Sequence, residues 1–292
     1  MRRETFSTPG PVRLDLELPA GAIEIETADT DETHVELEAL SSNEQVHDMV
    51  AGARIEASQR GDGHQVSVEV RTRHGVWISF SRGPDIRLGT PEMRLRITCP
   101  KGAAIDARTK SADLRAQGDY GIVDFKTASG DLYVDRSSDA YAKTASGDVH
   151  LDEVNGSLDV KTVSGDVHVG TVARDSNVQA VSGDVHIRSN DGSVSANTVS
   201  GDQKYDAVMR GRVELRAVSG DISVGIRRGS RVFIDANTVS GSTSSEFELS
   251  DSPSAPPAAD APLVEIFAKT VSGDVRLERA PAPLTAELSE QA

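Results

Sequence analysis

The chain has 292 residues, a formal net charge of −15, 4% aromatic residues, one Cys and one Trp. That length accommodates one large domain or two ordinary ones. A single Cys excludes an internal disulfide and any CxxC metal or redox site, and the acidic balance argues against a phosphate-backbone binder, so no nucleic-acid partner is expected.

The N-terminus, Met1-Arg2-Arg3-Glu4-Thr5-Phe6, has two positive residues but no apolar region after them. It does not read as a secretory signal, and a cytoplasmic location is expected. No apolar stretch approaches the roughly 18–20 residues of a membrane span. Residues 11–39 then alternate: Val12, Leu14, Leu16 and Leu18 lead to the turn Pro19-Ala20-Gly21, and Ile23 and Ile25 come after it. Such a period of two predicts half-buried strands. Leu95–Gly102 matches this unit, with Pro100-Lys101-Gly102 at the turn. Between them the sequence predicts a short helix near Asn43–Val50, strands at Ala53–Ala57 and Gln65–Arg73, and a mobile loop around Arg82–Gly89. Residues 1–100 are read as N-terminal coil plus capping hairpins, continuous with the solenoid repeats of residues 101–279.

Residues 101–279 carry an explicit repeat. Ser-Gly-Asp occurs at Ser129, Ser146, Ser164, Ser182, Ser200, Ser219 and Ser272, with degenerate copies at Ser111-Ala112-Asp113 and Ser240-Gly241-Ser242. Successive Ser spacings are 18, 17, 18, 18, 18, 19, 21 and 32. A period near 18 suits one coil of a β-solenoid. With the turn Ser as zero, positions −6, −4, +3 and +5 are mostly small aliphatics, as in Leu158, Val160, Val167 and Val169. The residues between are polar, which predicts two short strands per coil with one face buried. The fold class is therefore all-β: a single-stranded parallel β-helix of about 18 residues per coil, with a small hairpin-rich N-terminal cap. Gly130, Gly147, Gly165, Gly183, Gly201, Gly220, Gly241 and Gly273 are read as structural turn residues with positive φ. The Asp after each is read as bonding the turn backbone.

The 31 Val and 25 Gly are accounted for by these columns and corners, and the scarcity of aromatics by a narrow interior. Residues 246–262 hold Ser, Pro, Ala and Asp and read as a loop inserted before the last coil. That last coil is expected to form the exposed end, its edge blunted by Glu278, Arg279, Pro281 and Pro283. Residues 280–292 read as a disordered tail.

Repeated Thr-Val-Ser-Gly-Asp-Val units after a Pro-Lys-Gly turn resemble the bacterial putative-adhesin β-strand-repeat family, a domain of unknown function. The resemblance covers residues 11–279. It implies a right-handed solenoid, and it supplies no catalytic residues.

One outward constellation could carry chemistry. Position +2 holds Asp148, Asp166 and Asp184, and position +4 holds His150, His168 and His186. Imidazole and carboxylate ligands about 4.8 Å apart along the stack make this ladder a candidate site for Zn, Ni or Cu. It competes with a plain solvated strand face. A second pair of columns alternates bases at −3, such as Lys126 and Arg216, with acids at −5, such as Asp124 and Glu214, which predicts a mutually neutralised surface. No nucleophile elbow, zincin, Walker or dinucleotide motif occurs, and no cofactor is expected. The sequence thus points to a non-enzymatic β-solenoid scaffold or protein-interaction module. The alternatives are a carbohydrate-binding or carbohydrate-processing β-helix and a self-assembling solenoid. The partner is either an unidentified protein or a second copy.

Overall fold

The computed structural model describes residues 1–71, 93–247 and 262–280. The expected loop at Arg82–Gly89, most of the insertion at 246–262 and the tail beyond Ala280 lie outside the described residues. The chain divides into two compact units, Met1–Asn155 with Val160–Gly165, and Gly156–Asp159 with Asp166–Ala292. Each unit is a stack of parallel rungs, as period-two alternation with a Gly corner requires.

The first unit contains β1 (Arg2–Ser7), β2 (Val12–Ala28), β3 (Glu32–Ala39), α1 (Glu44–Ala51), β4 (Arg54–Arg60), β5 (Gly63–Glu69), β6 (Met93–Pro100), β7 (Ala103–Lys126), β8 (Leu132–Ser146) and β9 (Val149–Val154). The strand β2 runs through its Gly21 corner without a break. It pairs in parallel with β7 on one side, Leu14 opposite Ile105 and Ile23 opposite Leu114. On its other side lie β5, with Leu14 opposite Val66, and β6, with Ile25 opposite Ile97. The first rung in sequence is thus an interior rung. The rung outside it is built from β5 and β6, and antiparallel strands close that end: β4 on β5, and β1 on β3 on β6. These strands hide the edges that a solenoid would otherwise leave open. The helix α1 sits where the sequence places it. Asn43 caps it by accepting from the Gln45 N–H at 2.9 Å, and Val46 and Val50 turn inward.

The division between units falls within β10 (Leu158–Ser164). The second unit then holds β11 (Val167–Val172), β12 (Ser176–Ser182), β13 (Val185–Asn190), β14 (Val194–Ser200), β15 (Gln203–Val208), β16 (Gly211–Ser219), β17 (Ile222–Ile226), β18 (Arg231–Ser240), β19 (Thr243–Ser245), β20 (Leu263–Ser272) and β21 (Val275–Arg279). One face stacks β12, β14, β16, β20 and β18 in that order. The other stacks β11, β13, β15, β17, β21 and β19. The core lies between them, and Val178, Ile187, Leu215, Val224, Ile266 and Leu277 are each at most 1% exposed.

The expectation that the last coil in sequence forms the open end is overturned. The coil β20–β21 is inserted between β16–β17 and β18–β19, so residues 231–245 are the terminal rung among the described residues. The cause is legible in register. Ile266 packs between Val213 and Ile234, and Val275 between Ile222 and Thr243. The inserted coil has fully apolar inward columns and suits two neighbours. Thr243 and Ser245, at the corresponding positions of the 231–245 coil, are exposed and suit one.

Candidate functional site

The corners show what the Ser-Gly-Asp repeat does. A Cβ built on Gly147 would meet the carbonyl oxygen of Gly130 at 2.2 Å, and one on Gly165 that of Gly147 at 2.2 Å. The same approach recurs in the second unit, from Gly201 to Gly183 at 2.1 Å and from Gly273 to Gly220 at 2.1 Å. The turn glycines Gly165, Gly183, Gly201, Gly220, Gly241 and Gly273 have positive φ, as expected; Gly130 and Gly147 do not. Axial stacking of backbone on backbone, with no space for a side chain, is what all seven measured corners from Gly130 to Gly273 share.

Beside the corners, seven Asp carboxylates bond the backbone of the neighbouring rung along the stack. In the first unit Asp113 accepts from the Asp131 N–H at 2.9 Å, and Asp131 from the Asp148 N–H at 2.9 Å. In the second, Asp166 accepts from Asp184, Asp184 from Asp202, Asp202 from Asp221, and Asp221 from Asp274, each at 2.8 Å. Each carboxylate therefore satisfies a backbone donor of the next rung. The final acceptance is from Ser242, in the coil that has no further described rung to serve. Some of the threonines at −2 bond corner carbonyls, as Thr238 does to Gly273 at 2.9 Å and Thr109 to Ala112 at 3.1 Å, whereas the buried hydroxyls of Thr144 and Thr162 have no partner among the described residues.

The Asp/His ladder is divided among several tasks. His150 stacks on Tyr133, with ring centroids 5.0 Å apart, and the Arg115 guanidinium lies 4.8 Å from the Tyr133 centroid. In the second unit His168 meets His186 edge-on at 6.1 Å. His186 Nε2 lies 2.8 Å from Asp206 Oδ2, and Lys204 Nζ is 3.2 Å from the other oxygen. Partial burial raises the Asp206 pKa, but these two hydrogen bonds outweigh it and hold the carboxyl below its ordinary range. Asp184 and Asp166 aim a carboxylate oxygen at backbone N–H groups. Among the described residues no group of three or more His, Cys, Asp or Glu side chains converges as a metal site. The columns at −3 and −5 neutralise one another, as in Lys126 with Asp124 at 2.7 Å and Arg108 with Asp106 at 3.0 Å.

A further column, at −1, went unread in the sequence because the repeated Ser-Gly-Asp corner beside it draws attention away. In the second unit it is Val181, Val199, Val218, Val271 and Val239 in stacking order. They are 47%, 49%, 50%, 49% and 82% exposed. The alternation that buries −2 and −4 sends −1 outward, so the ridge arises from the same period of two. Its chemistry is not demanded by the turn, because in the first unit the position holds Lys110, Ala128 and Ala145 as well as Val163. A groove of about 530 Å³ runs beside the ridge over the last rungs, lined by Val218, Val271 and Val239 and flanked by Asn197, Arg216 and Lys269. Its walls are mostly apolar, with two cations at the rim.

Cys99 is fully buried in the first unit, and burial pushes its thiol up to about 12. No helix among the described residues is long and apolar enough to cross a membrane.

The chain has matches among solved structures and family models. The chain is similar over 94% of its length to an adhesin-like protein from Parabacteroides distasonis (putative adhesin), with 10% identity, 96% of that chain covered and a TM-score of 0.37. It is similar over 95% of its length to a putative cell adhesion protein from Clostridium sporogenes, with 11% identity, 99% of that chain covered and a TM-score of 0.25. A putative adhesin from Bacteroides fragilis matches 94% of the chain at 11% identity, with 96% of its own length covered and a TM-score of 0.33. No curated protein matches. The family model described as Toastrack DUF4097 matches residues 13–278, and the chain belongs to that family, as a β-solenoid of unknown specific role.

Proposed function

We propose that the chain is a non-enzymatic interaction module that holds a protein partner along the valine ridge of its second unit. The carrying observation is the column Val181, Val199, Val218, Val271 and Val239, about half exposed or more in every rung. Singly exposed valines need no explanation, whereas a contiguous file of them beside a groove marks a contact surface. Rungs are about 4.8 Å apart, so the file is about 19 Å long, the length of roughly six residues of extended peptide laid along the stack. Lys269 at the rim, beside Phe267 at −5 where other coils hold an acid, favours a segment that sets an acidic residue beside apolar ones. Covering each half-exposed Val contributes up to about 1 kcal/mol, and several together are needed to offset the cost of association.

The reading is tested by affinity capture with mass spectrometry, comparing the wild type with V199K/V218K. Both positions face outward, so the double variant should keep the wild-type melting temperature. The expected result is loss of the captured proteins from the variant. Retention of the same proteins at the same yield would overturn the ridge as the contact surface.

A further inference from the structure

The terminal rung of the second unit is unfinished on one face. Among the described residues β18 pairs with β20 alone, leaving a ten-residue strand with an open edge. Its inward residues Val232, Ile234, Ala236 and Thr238 are only half-buried, although the matching residues of β20, Val264, Ile266, Ala268 and Thr270, are buried. Its outward residues include Phe233 at 52% and Val239 at 82% exposure. Open edges are normally blunted by charged side chains, Pro or a bulge; β18 has no Lys or Pro, carries only Arg231 at its start and Asp235, and pairs with β20 in unbroken register. The neighbouring face of the same coil has been made polar, with Thr243 and Ser245 at its inward positions. Among the described residues the unit therefore ends in polar side chains on the β19 side and keeps core chemistry on the β18 side.

We propose that β18 is the interface for a second copy of this chain, paired antiparallel about a twofold axis at Ala236. This goes beyond the ridge reading and does not depend on it. In this register Phe233 faces Val239 of the partner, Ile234 faces Thr238, Asp235 faces Asn237, and Ala236 faces itself. Inward residues then meet inward residues, as a continuous sheet requires. Every outward pair is apolar on apolar or carboxylate on amide. Shifting the axis to Asp235 would set two carboxylates opposite one another, which is unfavourable. Shifting it further toward the strand start pairs Phe233 with a carboxylate and leaves Val239 without an opposite residue on the strand. The Ala236 register pairs the strand from Val232 to Ser240 and covers the half-open core of both copies.

The test uses the full chain in sedimentation and disulfide trapping. The expected results are a wild-type dimer, and monomers for F233K and for V239D with unchanged β-sheet circular dichroism. The double variant F233K/V239D places opposite charges face to face and should restore the dimer. Opposed antiparallel residues lie about 4.5–5.5 Å apart, within disulfide reach, so A236C should cross-link under mild oxidation. The native Cys99 is buried and should give no link. A wild type that is monomeric at all concentrations, as when another protein or another part of the chain covers β18, would overturn the proposal. So would a dimer that persists in both single variants, or one in which A236C does not link.

Discussion

The Asp274 carboxylate accepts from both the backbone N–H of Ser242, at 2.9 Å, and the Ser242 hydroxyl, at 3.0 Å, although Ser242 precedes it by 32 residues. A ladder in which every other carboxylate serves a later residue here runs backward. This bond ties the terminal rung to the inserted coil.

Acid should therefore loosen that rung first. The Ser242 N–H and then its hydroxyl hold the Asp274 carboxyl below its ordinary range, with Arg276 assisting and slight desolvation opposing. A carboxyl depressed in the folded state contributes stability that is fully present above its unfolded value of about 3.9 and is lost as pH falls through the folded value. Amide exchange at Ser242 and across β19 should accelerate below about pH 4, ahead of the interior rungs. In D274A the same amides should exchange faster at neutral pH, with no further acceleration from this group in acid.

The glycine stack makes a prediction that separates crowding from backbone preference. Gly147 lacks a positive φ, yet its Cβ would lie 2.2 Å from the Gly130 oxygen. Gly229 has φ of 88° and nothing within 4 Å. Urea denaturation should show G147A destabilised by about 3 kcal/mol, the upper end of overpacking costs. G229A should lose only about 1 kcal/mol, the penalty of the left-handed conformation.

Inside the second unit, Tyr205 is 1% exposed and its hydroxyl has no hydrogen-bond partner among the described residues. Its burial also raises the phenol pKa well above the ordinary value. Removing an unpaired buried hydroxyl removes its desolvation cost while leaving the ring in place. Y205F should be more stable than wild type by about 1 kcal/mol, visible as a higher melting temperature.

Most of the fold was legible because one structural requirement recurs in every copy. Alternation placed Leu158, Val160, Val167 and Val169 inside, and the corner glycines fell where the chain turns. The order of the rungs was not legible by spacing, since the interval of 32 residues between Ser240 and Ser272 reads equally as a loop before a final coil. The signal that could have revealed it is chemical. The Ser240-Gly241-Ser242 copy alone lacks both the Asp and the apolar +3 and +5 residues, because no described rung stacks beyond it to use them. The valine ridge escaped for the opposite reason: alternation places −1 outward, where polar residues are expected, so its apolar character does not follow from the period of two.

The buried Cys99 gives a probe of the first unit. With its thiol pushed up to about 12, it should resist thiol reagents at pH 8 in the folded protein and react on unfolding. Its labelling rate in mild denaturant would report opening of the first unit without engineering. Labelling of the folded chain at the rate of a free thiol would contradict the burial.

Synthesis from N- to C-terminus imposes a further consequence on the inserted coil. While residues 263–280 are still unmade, β16 and β18 expose the two edges that β20 will later separate. Val213 and Ile234 both match Ile266, so they also match each other, and direct β16–β18 pairing is an available nascent arrangement. Completion of the chain then requires strand exchange, with β18 leaving its temporary neighbour to admit the newcomer. The C-terminal coil works as a late-arriving bolt, and a chain truncated before Leu263 should close on itself in a shorter rung order instead of fraying.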